Sequence, residues 1–249
     1  MSQEFWQELK RLIMPPRATS VTAEVTSALA EINASNDLFD LKDIVGRCED
    51  KWLVITITRH TKKKFSGKWD CTLGDLKMEI WDDEDSGVGK ELFTCKTSER
   101  GGPAHDDFHY KDNNTERYMI IARETYGLAA WAGERYKTYG HCSRQSLVTN
   151  WKTIPRPGIS VYGNRAGAMD LRTAIVMHCG SSHGWSKGCV VLYRGNETES
   201  AGRVRFDLGQ SYDTVVQYLQ IIHSFHKTKS LPINARLERT RLIIKEKFQ

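Results

Sequence analysis

The spacing of hydrophobic residues changes twice along the chain and divides it into three zones. In residues 1–46, apolar side chains recur every three or four positions, which predicts a helical N-terminal arm. In residues 50–200 the apolar period falls to two, as in "KWLVITITRH", where Leu53 and Ile55 share one face of a predicted strand. Residues 205–249 return to helical spacing, which predicts a helical C-terminal segment.

The middle zone contains further apolar runs between turns rich in Gly, Asp, Asn and Ser. These runs are "LKMEIW", "ELFTCK", "RYMIIARETY", "GISVYG", "AIVMHC" and "CVVLYR". In the last zone, "SYDTVVQYLQIIHSFH" predicts one helix, and "LPINARLERTRLIIKEKF" a second with a basic face. The predicted fold is a mainly β catalytic domain, sandwich-like or barrel-like, with α-helical N- and C-terminal arms, and it is α+β overall.

Composition excludes several classes of protein. With 249 residues, 39% of them hydrophobic, the chain is long enough to bury a substantial core. We expect no membrane span, because no apolar run approaches the roughly 18 residues that one requires. A net charge of +5 is too small for a dedicated nucleic-acid binder, so no nucleic-acid partner is expected. The start, "MSQEFWQELKRLIMPPR", lacks the features of a secretory signal, which predicts synthesis in the cytoplasm without a signal peptide.

The stretch "HCGSSHGWSKGCVVLY", residues 178–193, contains two candidate nucleophiles. Gly184-Trp-Ser-Lys-Gly188 matches G-x-S-x-G, with Ser186 as the candidate serine. A serine elbow requires a turn that leaves a strand and enters a helix. Here "CVVLY" follows almost at once and predicts a strand, so the order strand, loop, strand disfavours Ser186.

The same order favours Cys189 as the nucleophile. His178 ends one predicted strand and Cys189 begins the next, so neighbouring strands would bring the imidazole to the thiol. Gly188 removes a side chain beside the thiol, where backbone amides are able to form an oxyanion hole. Because side chains alternate along a strand, Cys179 is expected on the face opposite His178.

These residues resemble a known family. His178, Gly180, Ser186, Gly188 and Cys189 match the H-x-G…S-x-G-C signature of L,D-transpeptidase (YkuD-like) catalytic domains. The chain is also similar, over about residues 52–195, to the small YkuD-related domains of phage and mobile-element proteins known as DUF5675.

The resemblance implies a β-rich cysteine enzyme of peptidoglycan. Cys189 would attack the carbonyl after the third residue of a stem peptide, with His178 as base and then acid, giving L,D-transpeptidase or L,D-carboxypeptidase activity. Ser186 would fix the loop, and the chemistry needs no metal or organic cofactor. The arginine that commonly follows the family's cysteine is replaced here by Val191. The candidate substrate-binding residues, with Arg165 the first choice to replace that arginine, are Arg165, Trp185, Lys187, His183 and Tyr139.

Two further interpretations remain open. The first is a zinc-dependent hydrolase, since two His-Cys pairs occur near further His and Cys residues; its candidate ligands are His141, Cys142, His178, Cys179, His183 and Cys189. The second is a non-catalytic cell-wall-binding or phage-structural module that stacks sugars on aromatic rings, with candidates Tyr126, Trp131, Tyr136 and Tyr139.

The expected biological setting follows from the resemblance and the predicted lack of a signal peptide. The protein would act in the periplasm or cell wall as an interbacterial toxin or phage factor, after delivery or lysis. Its expected partners are peptidoglycan stem peptides, together with a secretion carrier or an immunity protein bound through the helical arm.

Overall fold

The structure, a computed structural model, describes residues 50–65, 70–100, 121, 125–133, 135–138, 155–163, 175–186, 188–227, 234 and 236–248. The chain divides into two units, Met1–Asp37 and Leu38–Gln249, and all of the described residues belong to the second. The predicted N-terminal arm, residues 1–46, lies outside the described residues.

The described part of the chain contains eleven β-strands, one α-helix and a 3-10 turn. The strands are β1 (Trp52–Lys63), β2 (Cys71–Trp81), β3 (Gly89–Arg100), β4 (Thr125–Ala130), β5 (Tyr136–Lys137), β6 (Arg156–Gly163), β7 (Val176–His178), β8 (Val190–Tyr193), β9 (Thr198–Ser200), β10 (Arg203–Arg205) and β11 (Arg236–Glu246). The helix is α1 (Leu208–Phe225), and the 3-10 turn is His183–Trp185.

Eight of the strands form a closed barrel. Their order is β4-β11-β1-β2-β3-β8-β7-β6, and β6 pairs back with β4 to close the circle. Most neighbours are antiparallel, but β11 runs parallel to β1, and β8 runs parallel to β7. The two-residue β5 adds to β6 beside the barrel, while β9 and β10 form a separate hairpin.

Apolar side chains fill the barrel interior. Alternate residues of β1 and β2, such as Ile55 and Met78, join a single buried cluster with residues from β6, β8 and β11. Helix α1 joins the same cluster and buries residues around most of its circumference, including Leu219 and Phe225. Its start is capped by Asp207, whose carboxylate accepts from the amide of Gln210 at 2.7 Å.

A buried ionic group lies among the apolar residues inside the barrel. Arg59 on β1 donates from Nε and Nη2 to the two carboxylate oxygens of Glu99 on β3, at 2.8 and 2.7 Å. Its Nη1 donates to the carbonyl of Ile121 at 2.8 Å and to Glu246 on β11 at 3.2 Å. A buried guanidinium satisfied in this way ties three strands of the barrel together.

The predicted fold class is wrong in its helical arms. The structure is mainly β, and residues 236–246 form β11, which pairs with both β1 and β4 as a wall of the barrel. The predicted helix in "LPINARLERTRLIIKEKF" is therefore replaced by a strand. The helix predicted in residues 211–226 exists within α1, but it packs into the main core and is not a projecting arm. None of the described helices is long and apolar enough to cross a membrane.

Candidate functional site

The parallel pairing of β7 with β8 places His178 and Cys189 on one side of the barrel wall. Met177 lies opposite Val190, and both belong to the main core, so their side chains face inward. His178 lies opposite Val191, which belongs to a smaller apolar cluster on the outer face. Cys189 immediately precedes β8, and continuing the alternation of side chains by one residue puts it on the same side as Val191 and His178.

Cys179 lies on the other side of the wall. It is fully buried in the main core cluster, as the alternation of side chains predicted. Among the described cysteines only Cys189 is partly exposed, whereas Cys71, Cys95 and Cys179 are buried. Burial raises the pKa of the Cys71 thiol to about 12, so that thiol stays protonated at neutral pH.

One hydrogen bond fixes the tautomer of His178. Its Nδ1 lies 2.8 Å from the carbonyl oxygen of Cys179. A carbonyl only accepts, so Nδ1 carries the proton and Nε2 presents a lone pair. Nε2 is buried and has no hydrogen-bond partner among the described residues. The imidazole is therefore a buried base with one unused acceptor atom.

The surroundings of His178 keep its ring uncharged. The pKa of His178 is lowered to about 4, chiefly by burial; the bond to the Cys179 carbonyl opposes part of this shift, and the positive charge of Arg156 adds to it. The aromatic ring of Tyr136 lies on the imidazole, with ring centroids 4.0 Å apart and planes inclined by 21°. At neutral pH, His178 is thus available as a proton acceptor.

The loop before Cys189 has a defined conformation. The hydroxyl of Ser186 donates to the carbonyl oxygen of Cys189. Gly188 is buried and has φ of 91°, a left-handed conformation that favours glycine over any residue with a Cβ. Ser186 thus holds the backbone at Cys189, the loop-fixing role predicted from the sequence.

Helix α1 ties β7 to β8, two residues beyond His178 and three residues beyond Cys189. Ser211 Oγ accepts from the amide of Gly180 at 3.0 Å and donates to the carbonyl of Leu192 at 2.5 Å. A Cβ on Gly180 would lie 3.2 Å from both Trp185 and Val191, so Trp185 packs closely over this glycine. The relative position of β7 and β8 therefore depends on packing as well as on strand pairing.

His183 is held by contacts with Val204 and Phe65. Its Nδ1 accepts from the amide of Val204 at 3.2 Å, and its ring stacks on Phe65 with centroids 5.5 Å apart. These contacts attach the loop to the β9–β10 hairpin, so His183 supports the loop. Of the other predicted substrate-binding residues, Trp185 is partly exposed, while Arg165, Lys187 and Tyr139 lie outside the described residues.

Two site residues were missed in the sequence. From the sequence, Tyr136 is only a sugar-stacking candidate, and Arg156 is not among the candidate residues. The guanidinium of Arg156 lies over the Trp185 ring, 4.4 Å from its centroid. Burial raises the pKa of the Tyr136 phenol, and the Cys179 and Cys189 thiols add smaller contributions in the same direction. No local pattern marks either residue, since both reach the site through strand pairing.

Val191 occupies the position of the arginine that the resemblance would require. It is fully buried in the outer apolar cluster, where a guanidinium would have to displace Leu73 or Tyr193. Arg156 is one described cation beside this loop, through its contact with Trp185.

The zinc interpretation finds no ligand group within the described ranges. No three His, Cys, Asp or Glu side chains there are close enough together to hold a metal ion. His178 and Cys179 face opposite sides of the wall, for the reason given above, and His141 and Cys142 lie outside the described residues.

Comparisons with known proteins identify no relative. No family model matches the chain. No curated protein and no solved structure matches it either.

Proposed function

We propose that this protein is a cysteine acyl-transfer enzyme with Cys189 as nucleophile and His178 as general base. The observation that carries the proposal is the state of His178: its tautomer is fixed by the Cys179 carbonyl, and Nε2 has an unused lone pair. Cys189, on the same side of the wall, is partly exposed and so is accessible to a substrate.

The reaction begins with proton transfer from the thiol to Nε2. In this structure Nε2 and the Cys189 sulfur are not hydrogen-bonded, and the proposed step requires the thiol to rotate toward Nε2 when substrate binds. The sulfur attacks a carbonyl carbon, and the tetrahedral oxyanion is stabilised by amides around Gly188 and Cys189. Protonated His178 then donates its proton to the leaving amine, leaving a thioester on Cys189.

The acyl group is released in a second half-reaction. An amine acceptor gives a new amide bond, and water gives a carboxylate. In each case His178 takes a proton from the attacking group and returns it to the Cys189 sulfur. The proposed substrates are peptidoglycan stem peptides, which rests on the resemblance of residues 178–189 to L,D-transpeptidases. The proposed site of action is the periplasm or cell wall.

The test is mass spectrometry of purified muropeptides incubated with the protein. Cys189→Ala should abolish conversion, and His178→Gln should lower it nearly as far, because a thiol without its base is a few per cent thiolate at neutral pH. Ser186→Ala should retain part of the activity, since it loses one hydrogen bond that contributes about 0.5–1.5 kcal/mol.

Thiol alkylation with peptide mapping provides an independent control. A background with Cys48→Ser and Cys142→Ser leaves the four described cysteines, of which Cys189 should label first because the others are buried. Full muropeptide conversion by Cys189→Ala, or an acyl adduct on Ser186, would refute the assignment. Binding to peptidoglycan that is undiminished in Cys189→Ala, with no conversion by the wild type, would favour a non-catalytic module.

A further inference from the structure

The side chain of Tyr136 passes over Gly158 to reach the imidazole of His178. Tyr136 on β5 is paired with Arg156 on β6, and Gly158 on β6 is paired with His178 on β7. A Cβ on Gly158 would lie 3.1 Å from the Cβ of Tyr136 and 2.8 Å from a methyl group of Val176. Gly158 therefore leaves open the space through which the Tyr136 side chain passes from one strand to the imidazole two strands away.

The short strand that carries Tyr136 is held firmly in place. Thr138, two residues later, is buried; its hydroxyl donates to the carbonyl of Gly158 at 3.1 Å and accepts from the amide of Trp131 at 2.7 Å. Its amide donates to the carbonyl of Trp131 at 2.8 Å, and the Arg156 amide donates to the carbonyl of Arg135 at 2.9 Å. The stacking of Tyr136 on His178 is thus fixed by its surroundings.

We propose that Tyr136 is a positioning residue of this site, whose ring covers the imidazole of His178, excludes water from it and so keeps the base uncharged. This inference rests on the proposed function, in which neutral His178 accepts the thiol proton. It adds a residue on which the working pH range of the enzyme depends.

The charges around His178 give the direction of the effect. The positive charge of Arg156 on β6 disfavours the protonated form of His178. The other groups around the imidazole carry no charge that would favour it: the Cys189 thiol next to β8 is neutral when protonated, Cys179 faces the core, and Ser211 on α1 is uncharged. Burial is the largest cause of the lowered pKa, and the Tyr136 ring provides part of that burial. If the ring is removed, water reaches the imidazole and its pKa rises toward the ordinary value of about 6.5.

The experiment measures the pKa of His178 by NMR in the full chain, with its signal assigned by comparison with His178→Gln. The wild type should titrate near pH 4. Tyr136→Ala should raise the pKa by at least about one unit, and Tyr136→Phe, which keeps the ring, should match the wild type. Tyr162→Ala is the control, because this partly exposed β6 tyrosine bonds to the carbonyl of Asn234 and does not cover His178.

The pH dependence of muropeptide conversion supplies the functional readout. In Tyr136→Ala the acidic limb of kcat/KM should move upward with the His178 pKa, giving at least about a twofold loss at pH 5 relative to pH 7, and a larger loss the closer the pKa comes to 6.5, whereas the wild type should lose only about a tenth. An unchanged His178 pKa in Tyr136→Ala, a wild-type pKa near 6.5, or a Tyr136→Phe variant that behaves like Tyr136→Ala would overturn the inference. A shifted pKa with an unmoved acidic limb would also overturn it.

The two proposals fail in different ways. If Cys189→Ala retains full conversion, the proposed function fails whatever the titration gives, and the positioning role fails with it. If Cys189→Ala is inactive and the Tyr136 variants leave the titration and the acidic limb unchanged, the proposed function stands and only the role of Tyr136 is lost.

Discussion

Ser211 provides the sharpest test of how the candidate site is held together. Its hydroxyl is fully buried on α1 and bonds both to the Gly180 amide, just after β7, and to the Leu192 carbonyl within β8. Ser211→Ala removes both bonds at once and leaves two buried backbone groups without that partner. This change of one atom therefore loosens the link between β7 and β8.

The expected cost follows from the two orphaned groups. A buried donor or acceptor that loses its partner costs about 1–3 kcal/mol, so two such groups with partial relaxation cost about 2–4 kcal/mol. Equilibrium urea unfolding measures this as a lower midpoint with an unchanged slope. We also expect slower alkylation of Cys189, because the strand ends carrying His178 and Cys189 move relative to each other.

Ser224 gives a matched control on the same helix. Its hydroxyl is also buried, but it has no hydrogen-bond partner in the described part of the chain. Ser224→Ala should therefore leave the free energy of unfolding unchanged or raise it by up to about 1 kcal/mol, since an unsatisfied polar group is removed. If Ser211→Ala is no more destabilising than Ser224→Ala, the argument that Ser211 holds the site together is refuted.

Two further predictions concern buried charge. Burial lowers the pKa of His178 to about 4 in the folded chain, so between about pH 6.5 and 4 the unfolded chain binds more protons than the folded one. The contribution of neutral His178 to stability is therefore fully present above about pH 6.5 and is lost as the pH falls through this window. The loss approaches about 3 kcal/mol. Urea unfolding at pH 7 and pH 5 should show a smaller drop in His178→Gln, and an equal drop would contradict the linkage. Arg59→Met strands the Glu99 carboxylate in the barrel interior and should cost about 3–5 kcal/mol in the same assay at pH 7. Lys63→Ala, which breaks the exposed pair with Glu199, should cost less than about 1 kcal/mol, and similar costs for the two variants would argue against a buried ionic group.

The alternation of apolar residues predicted strands in "KWLVITITRH", "LKMEIW", "ELFTCK", "GISVYG", "AIVMHC" and "CVVLYR", where the structure has β1, β2, β3, β6, β7 and β8. Most of the predicted run "RYMIIARETY" lies outside the described residues, and the alternation failed at β11. In that strand Leu237, Thr240, Leu242 and Ile244 are buried, so one step of three, between Leu237 and Thr240, interrupts the period of two. The cause is local: Arg239 has φ of 49°, and the pairing with β4 slips between Arg236 and Arg241. An irregularity of this kind shifts which side chains face inward, so the period of two is hidden in the sequence.

Some residues of the candidate site could be predicted from a local sequence motif, and others could not. His178, Ser186, Gly188 and Cys189 lie in one short stretch, where residue types and spacing were enough to select them. Tyr136, Arg156 and Ser211 come from β5, β6 and α1, and they meet that stretch only because the sheet closes and the helix packs against β8. Such contacts leave no period or motif in a single sequence.

The closure of the barrel by β11 also has a consequence for the order of folding. β1 and β2 are adjacent in sequence and pair as a hairpin. The other edge of β1 stays unpaired until residues 236–246, which are synthesised far later, have formed β11. Pairing over such a separation is slow, and an unpaired strand edge is open to association with other chains in the meantime. On a nascent chain Arg59 and Glu99 are both present well before Glu246 arrives, so the interior ion pair can assemble early and its second carboxylate joins only as the last wall of the barrel docks.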